Sequence, residues 1–411
     1  MVERDDRARG AAASTTPRAD AGHWRSRSAA VAHLPAPVVA VDTVFLRSNA
    51  RDLAVRSAGV PVRVASKSVR VREILRDVLG LPGFSGILAY TLPEALWLAA
   101  EHDDIVVGYP TVDRAALAQL ATDERAAERV TLMIDDLAQL DLLDAVAPPS
   151  RRAAVRVAID ADASWRAPGL GHVGVRRSPV HDVEQVVALA RAVAERPGVR
   201  LAGLMMYEAQ IAGQPDASGS GDGVVRWMQR RSGIELRERR AAVVAALREV
   251  TQLEFVNGGG TGSLEYTASD PSVTETTAGS GLLAGHLFDL YRGFTPLPAA
   301  AIAFDVVRKP APDIATVLGG GWIASGPPLP SRQPLPVWPR ELRPLGREGA
   351  GEVQTPLRGA AARDLRVGDR VWLRHAKSGE VAERTDRVVF TDGATVTGEA
   401  PTYRGEGKAF V

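Results

Sequence analysis

Residues 62–68 read VRVASKS, and how this stretch is read decides the fold. Apolar and polar side chains alternate as in a half-buried strand, and the run ends in small hydroxylated residues around a lysine. A helical pattern, VREILRDVLG (71–80), follows. The same unit recurs along the chain. Strand-like runs stand at GILAYT (86–91), DIVVGYP (104–110), RVTLMIDD (129–136), VRVAIDAD (155–162), RLAGLMMYEAQ (200–210), LEFVNGGGTGS (253–263) and SVTETTAGSG (272–281). Helix-like segments such as DRAALAQLATDERAAE, VEQVVALARAVAE and RERRAAVVAALREV separate them. Eight strands alternating with helices predict an α/β fold, a parallel (β/α)8 TIM barrel. Eight units in about 220 residues suit a closed barrel better than the alternative, an open doubly wound sheet.

After residue 295 the texture changes. Proline is dense in SGPPLPSRQPLPVWPRELRP (325–344), and AAIAFDVVRK (300–309), RVGDRVWLRH (366–375) and DRVVFTDGATVT (386–397) read as strands of a separate β domain. The chain thus divides into a disordered tail (1–37), a barrel (38–295) and a β domain (296–411). The strand-and-helix pattern at 38–50, VVAVDTVFLRSNA, is assignable to either folded unit.

Composition excludes several classes. Fifty Lys+Arg against 49 Asp+Glu leave a formal charge of +1, so neither nucleic acid nor an anionic membrane is the expected partner. No apolar run reaches the ~18 residues of a membrane span. Without cysteine there is no disulfide, thiolate nucleophile or cysteine metal site, which fits a cytoplasmic protein.

Only four of the 50 basic residues are lysines: Lys67, Lys309, Lys377 and Lys408. Arginine serves wherever a permanent positive charge suffices, so a retained lysine marks a place for an amine that can lose its proton. Lys67 falls at the carboxyl end of the first barrel strand, where barrel enzymes place their chemistry and where an amine can attack a carbonyl. The plain alternative is a solvated lysine at a strand end. NGGGTGS (257–263) and TTAGSGLL (276–283) follow strands seven and eight. Glycine-rich turns there turn backbone N–H groups into one concavity, a phosphate site in many barrels.

These residues resemble the alanine-racemase-type (fold type III) pyridoxal-phosphate enzymes, and within them the D-threonine aldolase and D-serine dehydratase branch. The likeness lies in ASKS around Lys67, AIDADASWR (158–166), HVGVRRSP (172–179), GLMMYEAQIAG (203–213), GGGTGS, GEVQTP (351–356) and WLRHAKSGE (372–380). The resemblance implies pyridoxal 5'-phosphate as cofactor and Lys67 as its Schiff-base lysine. It implies Gly260, Thr261 and Gly262 with Gly279, Ser280 and Gly281 as the phosphate cradle, and Tyr207 facing the cofactor. It also implies a homodimer. Racemases of this fold carry an arginine after strand eight and a tyrosine early in the β domain; here the first stretch reads TTAGSG, and no tyrosine stands between Tyr291 and Tyr403.

The lyase relatives set a divalent metal on a histidine and on the residue two positions further along. Here those residues are His375 and Lys377. The expectation is that His375 is an active-site residue and a possible ligand, and that the Lys377 ammonium replaces the metal, with His375 relaying a proton and Glu380 holding Lys377 charged. Asp160 and Asp162 are expected to cap the following helix, Arg166, Arg176 and Arg177 to lie on the surface unless they meet a substrate carboxylate, and Met205 and Met206 to pack the barrel.

The function expected is a pyridoxal-phosphate-dependent lyase acting on a small D- or β-hydroxy amino acid, by retro-aldol cleavage or dehydrative deamination. The alternatives are an amino acid racemase, a non-catalytic pyridoxal-phosphate carrier, or a barrel enzyme of a phosphorylated sugar.

Overall fold

The computed structural model describes residues 18–411 except Pro168 and Pro328. Eight parallel strands close into a barrel in the order expected: β1 Val62–Ala65, β2 Phe84–Ala89, β3 Ile105–Val107, β4 Val130–Ile134, β5 Val155–Asp160, β6 Val199–Met205, β7 Phe255–Gly258 and β8 Glu275–Ala278. Closure is made by β8 pairing with β1, Thr276 opposite Val62 and Ala278 opposite Val64. The open doubly wound alternative falls with that pairing.

Carboxylates at helix starts fix where the chain turns. Asp113 accepts from the N–H groups of Ala115 and Ala116, and Asp136 and Asp182 each form a capping box with a glutamine three residues on. Val106, Met133, Ala158, Met205 and Phe255 form a buried apolar cluster of their own, and Met206 is buried in the main core, so both methionines are packing residues as expected. Arg63 crosses the amino-terminal part of the barrel between Glu275 and Asp104, at 2.7 and 2.9 Å. It is buried, and the two carboxylates satisfy it.

A nine-stranded sheet forms the β domain. Strand Val38–Asp42 lies inside it, antiparallel to Ala300–Ala311 and parallel to Arg387–Thr391. The stretch at 38–50 is therefore shared: its strand joins the β domain, and its helix, Thr43–Arg56, begins at Asp42, which caps Phe45 N–H at 2.8 Å.

The expected tail is corrected over its second half. Residues 1–17 lie outside the described residues, but Ala21–Ala30 is a helix docked on the β domain. Its anchors are Trp24 and Arg27, both buried. Arg27 donates to the carbonyls of Ala40 and Ala299 at 2.5 and 3.1 Å and lies 4.9 Å from the centre of the Trp372 ring. Two large side chains hold this helix in place of an apolar stripe, so its periodicity is weak.

Candidate active site

Lys67 lies in a single 3-10 turn, Ser66–Ser68, just past the carboxyl end of β1. Three contacts fix that turn. Ser66 Oγ donates to Leu88 O at 3.1 Å, and Arg70 Nε donates to Lys67 O at 3.0 Å. Arg70 does so from a left-handed backbone, φ 54°. The third is Gly379 of the β domain: a Cβ on it would stand 2.0 Å from Lys67 O, so only glycine fits, and its own φ is +94°. The Lys67 amine donates to Tyr109 Oη at 2.7 Å, from the loop after β3.

Beside this turn lie the loops after β8, the strand paired with β1, and after β7. They are tied together by Thr261 Oγ1, 3.2 Å from Ser280 Oγ and accepting Gly281 N–H at 3.1 Å. A Cβ on Gly262 would meet Ala212 O at 2.3 Å, and one on Gly279 would meet Ala65 O at 2.5 Å. These glycines are required by the close approach of backbones; Gly259 is the loop residue with positive φ, at +88°. The N–H groups of Thr261 and Gly262 have no hydrogen-bond acceptor among the described residues. Free N–H groups beside two hydroxyls form a donor set suited to a phosphate. Together with the amine that follows the adjoining strand β1, this set fits pyridoxal phosphate.

Tyr207 follows β6, with its ring edge 3.4 Å from where a Cβ on Gly260 would stand. Burial, then the Glu208 charge, pushes its phenol up to about 12. Asp160, the last residue of β5, is pushed up to about 7 by burial and by Asp135, with Arg177 opposing. Neither Asp160 nor Asp162 caps the next helix, which starts at Val183 behind Asp182. Asp162 instead accepts from Ser164 N–H and Oγ, at 2.9 and 2.7 Å. Arg166, Arg176 and Arg177 line a cavity of about 560 Å³ together with Asp162 and His172.

From the β domain, residues 374–384 close over the Lys67 turn. His375 is buried, 3.2 Å by Nε2 from Ser378 Oγ, and Ser378 donates to Ser280 O at 2.8 Å in the glycine loop. Burial, then Arg374 and His286, depresses the imidazole to about 3, so it stays neutral at physiological pH. A histidine so placed orients the Ser280 loop and is a poor proton relay. Lys377 is half-buried; burial first, then Arg332 and Lys67, lowers its ammonium below the ordinary range, and Glu380 opposes. Glu380 spends its hydrogen bonds on Ser325, accepting its N–H at 2.8 Å and also its hydroxyl. Among the described residues no three metal-ligating side chains converge. At the second of the two expected ligand positions stands an amine, Lys377, and His375 Nε2 faces Ser378 Oγ.

The structure thus brings Lys67, Tyr207, both glycine loops, His375 and Lys377 around one barrel mouth. Sequence reasoning missed three residues. Tyr109 is the partner of Lys67; its only signal was its place one residue past Gly108 in DIVVGYP. Glu94 and Tyr403 are joined across 309 positions beneath the Lys67 turn and left no local signal.

No family model matches the chain. It is 26% identical over 294 residues to a D-threonine aldolase from an Arthrobacter species, covering 69% of this chain and 71% of that one. The D-threonine aldolase structure from Filomicrobium marinum superposes with a TM-score of 0.76 at 20% identity, covering 91% of this chain and 96% of that one. D-threo-3-hydroxyaspartate dehydratase from Delftia sp. HT23 gives 0.66 at 20% identity, covering 90% and 98%. Alanine racemase from E. faecalis lies further off, at 0.59 and 16% identity over 85% and 92%. A barrel and β domain shared with all three structures establish the alanine-racemase-type fold.

Proposed function

From a chain with the alanine-racemase-type fold and a D-threonine aldolase relative, we propose a pyridoxal-phosphate-dependent lyase acting on a small D- or β-hydroxy amino acid. The observation that carries this reading is the geometry at the mouth: an amine on Tyr109 at 2.7 Å, facing two glycine loops with free N–H groups. Lys67 would hold the cofactor covalently. Thr261, Gly262 and Ser280 would take its phosphate, and Tyr207 would pack against it. Gly260, Gly279 and Gly281 let the two loops approach. Once bound, the cofactor supplies the electron sink for breaking a bond at the substrate α-carbon.

The other steps belong to side chains. Tyr109 accepts the hydrogen of Lys67 Nζ and so fixes where the amine points when it takes or returns a proton. Lys377 is the second acid–base group. Its lowered affinity for the proton suits it to protonate a departing β-hydroxyl, which gives dehydration, or, as the free amine, to take the hydroxyl proton, which gives retro-aldol cleavage. His375 holds the Ser280 loop through Ser378. Racemisation would need a second base on the opposite face of the α-carbon, and the β domain offers no tyrosine there. We place the enzyme in the cytoplasm as a homodimer.

The test is direct. Borohydride treatment followed by peptide mapping should find the cofactor on Lys67. Aldehyde, keto acid and enantiomer products from D- and L-serine, threonine and alanine should then name the bond broken. A protein that takes up no pyridoxal phosphate, or turns over none of these amino acids, would sink the proposal.

A further inference from the structure

Glu208, the residue after Tyr207 in GLMMYEAQIAG, is fully buried and takes no part in the chemistry described above. Its four partners all donate to it. Oε2 accepts Gly259 N–H at 3.1 Å and Arg240 Nη2 at 3.2 Å. Oε1 accepts Ser263 Oγ at 3.1 Å and the Thr267 hydroxyl. An ionised carboxylate only accepts, and it has room for four such bonds. Arg240 is itself fully buried; it also donates to Met206 O at 3.0 Å and pairs with Asp270 at 2.7 Å. The end of β6, the loop after β7 and the long helix Asp222–Arg248 thus meet on one carboxylate.

The effect on the loop follows from its N–H groups taken in order. That of Gly259 is drawn inward to Glu208. That of Gly260 goes to Ser263 Oγ at 3.2 Å, and Ser263 is free to accept it because its own hydrogen is spent on Glu208. The next two, of Thr261 and Gly262, are left without an acceptor among the described residues. Gly259, at φ +88°, supplies the bend at which the inward and the free groups part.

Resting on the assignment of the cofactor phosphate to Thr261, Gly262 and Ser280, we infer that Glu208 is the positioning residue that makes this loop select a phosphorylated cofactor over its unphosphorylated form. It acts from beneath the loop. By taking the hydrogens of Gly259 and Ser263 inside the protein, it leaves the Thr261 and Gly262 N–H groups for the phosphate.

The experiment measures binding of pyridoxal 5'-phosphate and of pyridoxal to the full chain freed of cofactor, by fluorescence titration, and so does not depend on turnover. In Glu208→Gln the amide nitrogen must face Ser263 and Thr267, since Gly259 N–H and Arg240 can only donate, and Ser263 then loses its acceptor. This variant should bind pyridoxal 5'-phosphate on the order of tenfold to a hundredfold less tightly, the usual worth of hydrogen bonds to a charged group. Its affinity for pyridoxal, which lacks the phosphate, should stay at the parent value. Ser263→Ala breaks the link between Glu208 and Gly260 and should show the same selective loss; it decides the matter should Glu208→Gln fold poorly. An equal loss on both forms is the mark of a merely structural residue and overturns the inference, as does an unchanged affinity for the phosphorylated form. Failure of the cofactor reading shows separately, as a parent protein that takes up no pyridoxal 5'-phosphate. In that event calorimetric titration with inorganic phosphate decides: binding that the variants weaken supports the role of Glu208, and equal or absent binding overturns it.

Discussion

Tyr403 donates its phenol hydrogen to Glu94 Oε1 at 3.0 Å, while Glu94 Oε2 accepts the N–H of Tyr90 at 2.7 Å. This buried carboxyl lies next to Ser66 and is pushed up to about 7, chiefly by burial, with Ser66, Tyr90 and Tyr403 opposing. A carboxyl raised in the folded state binds its proton more tightly there than in the unfolded chain. Its contribution to stability is therefore full below the unfolded value and is lost as pH rises through about 7. The amount at stake is about 3 kcal/mol. Glu94→Gln should gain stability relative to the parent as pH rises from about 5 to about 8. Denaturant titrations across that range check it, and parallel pH slopes would sink the assignment.

Lys67→Ala and Lys67→Arg should both lose covalent cofactor and all measurable turnover while circular dichroism stays native. The alanine removes one exposed side chain, and the guanidinium cannot attack a carbonyl. Turnover in either variant would falsify the role of Lys67.

Gly262→Val and Gly279→Val should weaken cofactor binding more than Gly260→Val. The first two drive a side chain into a backbone carbonyl, at 2.3 and 2.5 Å, whereas Gly260 would meet a methyl group at 3.0 Å. Dissociation constants from fluorescence titration with pyridoxal phosphate give the order, and a reversed order would put the phosphate elsewhere.

Chelators should leave activity intact, because an amine, Lys377, occupies the second ligand position beside His375. Lys377→Met should cost on the order of a hundredfold or more in kcat, the usual worth of a positioned acid–base group, with the cofactor still attached. Inactivation by chelation with recovery on adding a divalent metal would show that the segment binds metal after all.

His375→Ala should act through packing. It opens a cavity beneath the Ser280 loop and should weaken cofactor binding without adding a pH-dependent limb near neutrality, since the imidazole titrates at about 3. An activity limb that disappears in this variant would restore the relay role.

Much of this was legible in advance because barrel strands announce themselves twice, by an apolar run and by the small or acidic residues at its end. VRVASKS and NGGGTGS carried both the fold and the two halves of the site. What stayed hidden was held by distance or by single side chains. The helix at Ala21–Ala30 docks through Trp24 and Arg27, and no periodicity reports an anchor of two residues. Glu94 meets Tyr403 only after the chain has folded. Glu380 acts on Lys377 by charge alone, opposing the loss of its proton, because the Ser325 loop takes the hydrogen bonds of its carboxylate.

Strand Val38–Asp42 has a further consequence, for synthesis. It leaves the ribosome before both of its neighbours, Ala300–Ala311 first and Arg387–Thr391 after it. At roughly 5–20 residues per second, translation takes on the order of 13–50 s to cover the roughly 260 residues up to the first partner. Through that interval a run of three valines and an alanine waits with open edges while the whole barrel is made. The nascent chain thus carries a sticky edge until Ala300–Ala311 is made, and a fragment stopped at the end of the barrel would carry it for good.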